Sequence, residues 1–241
     1  MKSPKYQPRF YRQWPETKDL TSYQVQVSES DLYIRTCGDL SSKARELLLT
    51  CRHHIQSYIK DHPEFLTTLT PYPVEPLAPR IVRDMAQAAE KAGVGPMAAV
   101  AGAIAEYMGR ELLNYSPEVL VENGGDDFLA SRSTRCVGLY IGKNMKPLFI
   151  EVFPGETPCG ICTSSGTLGH SLSFGKADSV TVIAGTATLA DAVATACGNR
   201  IQCAGDIEDG LDFGLSIEGV RGVVISIDKK IGLKGNVRLK E

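Results

Sequence analysis

Apolar and polar positions alternate from Tyr23 to Val27 and again from Asp31 to Arg35, which predicts a β-hairpin turning at Ser28 to Ser30. The period then changes. Leu47, Leu48, Cys51, Ile55 and Ile59 recur at spacings near 3.6, so a helix is expected from a cap at Asp39 or Ser41 to about Lys60. Pro63, Pro71, Pro73, Pro76 and Pro79 exclude regular helix or central strand over 61–79 and predict a loop crossing one domain. A second helix over 80–92 ends at Gly93, and a third begins with Pro96 in its first turn. The third carries Ala98, Ala99, Ala101, Gly102, Ala103 and Ala105, side chains small enough for close backbone approach, which predicts a central buried helix.

Val119 to Glu122 reads as a short strand running into Asn123-Gly124-Gly125-Asp126-Asp127, and strands at 136–141 and 147–153 follow, joined by a turn at Gly142 to Asn144. The segment CGICTSSGTLGHSLSFGKAD, 159–178, reads as a glycine- and serine-rich loop. Val180 to Ala184 is a short strand, Thr188 to Cys197 a second alanine-rich helix stopped by Gly198 and Asn199, and strands near 223–227 and 236–240 close the chain. Strands and helices mix without regular βαβ alternation, so the fold class is α+β rather than a doubly wound sheet. Residues 1–22, polar and basic with Pro4, Pro8 and Pro15, read as an extended arm ahead of one α+β domain over 23–241.

Composition narrows the partners. A chain of 241 residues buries roughly 70% of its unfolded surface and needs no disulfide staple. A net charge of −2 offers no bulk attraction for nucleic acid or an anionic membrane. No stretch approaches the roughly 18 apolar residues of a membrane span. The opening MKSPKYQPRFYRQW lacks the apolar run of a signal peptide. With seven cysteines, an odd count, reduced thiols in a cytoplasmic protein are expected.

Four places carry candidate chemistry. Asp191 and Thr195 lie four residues apart on one helix face, where a carboxylate and a hydroxyl suit a hard cation such as Mg2+; Thr188-x-x-Asp191 equally has the form of a capping box, and Thr195 could bond the carbonyl one turn back. In Asn123-Gly124-Gly125-Asp126-Asp127 the glycines let a ligand approach the backbone and the acids suit metal or sugar hydroxyls, or the segment is a strand-ending turn. Thr163 to His170, with Ser165 and Gly166, offers hydroxyls and amides to phosphate but lacks the Gly-Lys-Ser/Thr ending of a P-loop. His170 is the histidine of this polar segment and has a pKa suited to acid–base work. Cys159-Gly160-Ile161-Cys162 has redox spacing without the helix N-terminus that a thioredoxin-type motif needs, and it lacks two further zinc ligands.

The order of these blocks is more specific than any one of them. VGPMAAVAGAIAE, VENGGDD, CTSSGTLGHSLSFGKAD and ADAVATACGN resemble the ApbE superfamily, and most closely a bacterial and archaeal ApbE-like branch, across residues 20–240. Members with known activity move FMN from FAD onto a threonine or serine hydroxyl of a protein, using Mg2+. The resemblance implies the ApbE α+β fold, a Mg2+ site of Asp191, Thr195 and the Ala98 carbonyl, and a flavin nucleotide beside Asn123, Gly124, Gly125 and Asp126. It further implies Ser165 and Gly166 in the same cleft and His170 near the diphosphate, with His170 and Asp191 as the catalytic pair. Its partners would be FAD or a related nucleotide and a protein substrate; a homodimer is compatible with the small-residue helices.

The chain departs from the transferases at three places. They carry Ala-Lys-Gly where it has Ala98-Ala99-Val100, and Ser-Gly-Asp where it has Ser165-Gly166-Thr167. Their His-Ile-x-Asp-Pro-x-Thr-Gly segment shrinks here to His170-Ser171-Leu172-Ser173-Phe174-Gly175. Three functions therefore stand side by side: an ApbE-type enzyme on a nucleotide or phosphate ester, a non-catalytic flavin- or nucleotide-binding protein, and a cysteine redox protein using Cys159 and Cys162.

Overall fold

The computed structural model describes residues 19–143, 145–166 and 174–240. Residues 1–18 of the expected arm, Asn144, and 167–173 with His170 lie outside the described residues.

The first hairpin is β1 (Thr21–Val27) and β2 (Ser30–Thr36), turning through Ser28 at a φ of 50°. It begins an eight-stranded antiparallel sheet that continues through β3 (Val119–Asn123), β4 (Asp126–Ala130), β7 (Cys159–Ser164), β8 (Ser179–Ala184), β9 (Val220–Ile227) and β10 (Lys230–Gly235), in that order. A separate hairpin, β5 (Arg135–Leu139) with β6 (Leu148–Val152), is extended by the chain end, where Leu239 bridges to Ile150. With six helices beside this sheet among the described residues, the fold is α+β.

Pleating divides the sheet residues between two cores. Ile34, Val121, Phe128, Cys162, Val182 and Ile225 face a helical layer of α1 (Ser41–Asp61), α3 (Arg80–Ala92), α4 (Val100–Leu112), α5 (Ala187–Arg200) and α6 (Ile207–Ser216). Leu129, Cys159, Ile161, Ile183 and Val224 face the β5–β6 hairpin across a smaller core. Strand β8 is buried on both faces, which explains its unbroken Ser-Val-Thr-Val-Ile-Ala run.

Four expectations change in detail. The proline-rich segment holds a single helical turn, α2 (Glu64–Thr67), started by Pro63 rather than interrupted by it. Pro96 opens a 3-10 turn, Pro96–Ala99, ahead of α4. The glycine-rich segment begins as strand β7, and the last strand is β10, six residues earlier than the expected 236–240.

The β5–β6 hairpin is anchored to the main sheet by Arg135, which is 6% exposed. Its guanidinium bonds Asp19 through both carboxylate oxygens at 2.9 and 2.7 Å, Glu118 at 2.8 Å and the Ser131 hydroxyl at 2.7 Å. Arg135→Met keeps the volume but leaves Glu118, a half-buried acid, without its cation. A loss of about 3 kcal/mol in urea unfolding is expected; an unchanged midpoint would mean that the hairpin is held by its apolar face alone.

Candidate functional site

The site grows from the crossing of α4 and α5, where the sequence places almost only small residues. A Cβ on Gly102 would stand 2.3 Å from the Ala187 carbonyl oxygen and 2.7 Å from Asp191 Cβ, so only glycine permits this approach. On the sheet side, Gly160 of β7 does the same for the start of α5. Each helix then supplies an acid to the other's N-terminus. Asp191 Oδ2 accepts the Gly102 N–H at 2.8 Å, and Glu106 Oε2 accepts the Ala187 N–H at 2.7 Å. Both acids satisfy N–H groups that a helix start leaves without intrahelical partners. Glu106 is braced by Arg110 at 2.6 Å, and its pKa is raised by burial.

This geometry decides between two readings of Asp191. Thr188-x-x-Asp191 is not a capping box: α5 is capped by Thr186, whose hydroxyl accepts from the Leu189 N–H at 3.2 Å. Thr188 and Asp191 sit inside the helix, and the Asp191 carboxylate turns to α4 instead. It takes the N–H that would serve the Ala98 carbonyl in a continuous helix. The chain breaks helical geometry at Ala99, with φ −110° and ψ 5°, the residue that ends the 3-10 turn holding Ala98. Thr195 is half-buried one turn beyond Asp191 and, among the described residues, its hydroxyl has no hydrogen-bond partner.

The β3–β4 turn delivers the next residues. Gly124 and Gly125 have φ of 75° and 107°, the paired positive values of a type I′ hairpin, so these glycines are required by the turn itself. Asn123 is buried and donates from Nδ2 to the Ala101 carbonyl at 3.0 Å, tying the turn to the start of α4. Asp126, on the helix-facing side of β4, accepts the Thr163 N–H at 3.2 Å and stands opposite Cys162 in the β4–β7 register. The Cys162 thiol donates to the Ala187 carbonyl at 3.2 Å, one turn before Asp191.

Asp126 and Asp191 therefore meet beneath the α4–α5 crossing. Burial pushes Asp191 up to about 7, even with the Gly102 and Ala101 N–H groups pulling it down. Asp126 is pushed well above the usual carboxylate range by burial and then by the charges of Asp191 and Asp127. The Cys162 thiol is raised by burial and the same acids. Among the described residues neither carboxylate has a basic partner. No group of three or more His, Cys, Asp or Glu side chains is set to hold a metal among the described residues. A cation here would rest on carboxylate, hydroxyl and carbonyl oxygens, the donors that a hard divalent ion takes. The residues fit such an ion.

Ser165 and Gly166 lie past the end of β7. The Ser165 hydroxyl donates to the Asp178 carbonyl at 2.6 Å and the Gly166 N–H to the Ala177 carbonyl at 3.1 Å, so both fasten the two ends of the 167–173 segment together. His170 lies inside that segment, outside the described residues.

Cys159 and Cys162 are separated. Three residues along a strand span about 10 Å and change faces. Cys159 lies in the hairpin core and Cys162 against α5. A disulfide between them would need β7 to unravel, because bridged Cα atoms stand within about 7 Å. Burial pushes the Cys159 thiol up to about 12, the opposite of an activated thiolate. The redox reading is thereby removed.

An antiparallel sheet with small-residue helices crossing over an acid pair defines the chain as an α+β protein with one candidate cleft. It belongs to the family described as AbpE bacteria, whose sequence profile matches residues 12–228. A UPF0280 protein of Methanococcus aeolicus is 39% identical over 221 residues, 88% of this chain and 89% of its own length. A UPF0280 protein of Methanocaldococcus jannaschii is 40% identical over 202 residues, 81% of this chain and 82% of its own. Among solved structures, the Pseudomonas stutzeri flavinyl transferase ApbE superposes with a TM-score of 0.63 at 11% identity, covering 92% of this chain and 94% of that one. The flavin transferase ApbE of Vibrio cholerae gives 0.61 at 12% identity, covering 93% and 97%. At these identities the structural likeness speaks for the fold. Among the described residues no helix is long and apolar enough to cross a membrane.

Proposed function

We propose that the protein is a Mg2+-dependent enzyme of the ApbE type that acts on a flavin or related nucleotide. In this reading Asp191, the Thr195 hydroxyl and the Ala98 carbonyl hold the cation. Asn123, Gly124, Gly125 and Asp126 lie beside the nucleotide, Ser165 and Gly166 border the same cleft, and His170 moves a proton at the diphosphate. The cation, when bound, would polarise the diphosphate and stabilise the leaving phosphate. A protein hydroxyl or water accepts the transferred group. One observation carries the reading: a buried carboxylate, Asp126, and a half-buried one, Asp191, meet at the start of α4 with no basic partner among the described residues. The flavin transferases with the same fold support the nucleotide class.

A specific observation favours a second reading, a flavin- or nucleotide-binding protein without turnover. The lysine of the transferases falls at Ala99, which is fully buried and offers no room for a long cationic side chain. Thr167 stands where they carry an aspartate.

Melting of the purified protein with FAD, FMN and other nucleotides, with and without Mg2+, tests the site. At a hundredfold excess over Kd a ligand adds about 2.7 kcal/mol, a rise of roughly 5–10 °C for a chain of this size. We expect the rise with FAD and Mg2+ together and its loss in Asp191→Ala. Release of AMP from FAD selects the enzyme, and saturable binding without product selects the carrier. No shift with any nucleotide removes both.

A further inference from the structure

We infer that Asp126 is a second anionic ligand of the same cation, so that this chain takes up a divalent ion before any nucleotide arrives. The inference rests on the cation reading of Asp191 and extends it to a residue that the resemblance places only beside the nucleotide.

The placement follows from register. Positions 126, 128 and 130 of β4 share the helix-facing side, where Phe128 and Ala130 join the main core. Asp126 opens that row with 8% exposure. Its partner across the ladder is Cys162, whose thiol touches the Ala187 carbonyl, and Asp191 lies one helical turn from Ala187. Thus β4 delivers one carboxylate and α5 the other to the same point beneath the start of α4. A carboxylate has about four acceptor positions. The Thr163 N–H fills one on Asp126 Oδ1, at 3.2 Å. Asn123, at the other end of the turn, holds the Ala101 carbonyl and so fixes how far β4 stands from α4.

Charge counting gives the consequence. A divalent ion on Asp191 alone keeps one net positive charge, which only a diphosphate would neutralise. With Asp126 the two carboxylates balance it, and ligand charge count is a main control on the affinity of hard cations. The same arrangement answers why a buried acid and a half-buried one are set side by side: an ion between them turns mutual repulsion into shared attraction.

The test is Mn2+ titration of the metal-stripped full chain without nucleotide, with free Mn2+ followed by electron paramagnetic resonance and Mg2+ as competitor. Wild type is expected to bind one Mn2+. Asp191→Asn and Asp126→Asn should each weaken it at least tenfold. Asp209→Asn, which removes an exposed charge from α6, should change it less than threefold. Equal affinity in wild type and Asp126→Asn, with loss in Asp191→Asn, overturns the role of Asp126 and leaves the cation reading standing. Binding that appears only with FAD overturns prior loading. No Mn2+ bound with or without FAD overturns the cation reading itself. Where Asp126→Asn does not fold, Asp126→Ser keeps an acceptor for the Thr163 N–H in a smaller volume and gives the same decision.

Discussion

Asp191→Asn is expected to raise the melting temperature of the ligand-free protein at pH 8 by about 2–6 °C while abolishing its stabilisation by Mg2+. The rise comes from the cost of ionising a buried acid. In the unfolded chain Asp191 titrates near 4, as an ordinary aspartate; in the fold it titrates at about 7. Below about pH 4 both states carry the proton and nothing is lost. Between about 4 and 7 the native state holds a proton that the unfolded chain has released, so stability falls as pH rises through that window. Above 7 the full penalty stands. A shift of this size corresponds to about 4 kcal/mol at its limit, and coupling to Asp126 with partial solvent access reduces it to roughly 2 kcal/mol. Asparagine still accepts the Gly102 N–H and sheds the charge. What it forfeits is the attraction of a carboxylate to a helix N-terminus, about 0.5–1 kcal/mol. The wild type should therefore lose stability from pH 5 to pH 8, the variant should stay level, and Mg2+ should restore only the wild type. An Asp191→Asn protein that melts below wild type at pH 8 would mean that the carboxylate is there to cap α4 and not to wait for a cation.

That test separates function from architecture because Asp191 serves both, and this is also where the sequence was hardest to read. The helix periods of 41–61 and 80–92 were plain, since each buries one apolar stripe and α3 ends on a glycine at φ 71°. The first hairpin was plain from its period of two, which holds in the sequence even though β2 is buried along nearly its whole length. Strand β7 was not. Its Cys-Gly-Ile-Cys-Thr-Ser is enclosed by a core on each side, so no alternation marks it, and the serines and glycines that follow look like loop. Helix α6 escaped notice because Gly210 and Gly214 weaken its pattern. Those glycines make room for Ile201, Ile225 and Val223, whose side chains fill the space that a Cβ would take. Such packing demands come from partners far away in the chain and leave no local signal.

The candidate site shows the same limit. The spacing of Asp191 and Thr195 was visible, but the capping box was equally visible, and only the position of Thr186 decided between them. Asn-Gly-Gly-Asp was legible as a turn; that the turn sets its aspartate under α5 depends on the β4–β7 register. Glu106, which caps α5 from α4, gave no signal beyond being an acid inside an alanine-rich helix. An acid amid small residues on a helix with few polar neighbours is the pattern that could have exposed it.

Gly160, beneath the candidate site, is a position where one methyl group is expected to do severe damage. In the sequence it is the spacer of Cys-x-x-Cys; in the fold it is the floor on which α5 rests. A Cβ there would lie 2.2 Å from Ala187 Cα, 2.3 Å from the Ala187 nitrogen and 2.6 Å from the Thr186 carbonyl carbon. All three atoms are backbone, so no rotamer change relieves the clash and α5 must lift as a whole. Ala187 is also where Glu106 and the Cys162 thiol bond the start of α5, and its carbonyl lies 2.3 Å from the Cβ position of Gly102. Lifting the helix breaks these contacts together and carries Asp191 away from both Gly102 and Asp126. Gly160→Ala should therefore lose more than about 4 kcal/mol of stability, the range reserved for overpacking of this severity. Gly155→Ala, where a Cβ meets nothing within 4 Å, should stay within about 0.5 kcal/mol of wild type. Urea midpoints of the two variants decide the matter. If Gly160→Ala unfolds with wild-type midpoint and binds Mn2+ as wild type does, α5 does not rest on β7 as closely as described, and the acid pair would not depend on that contact.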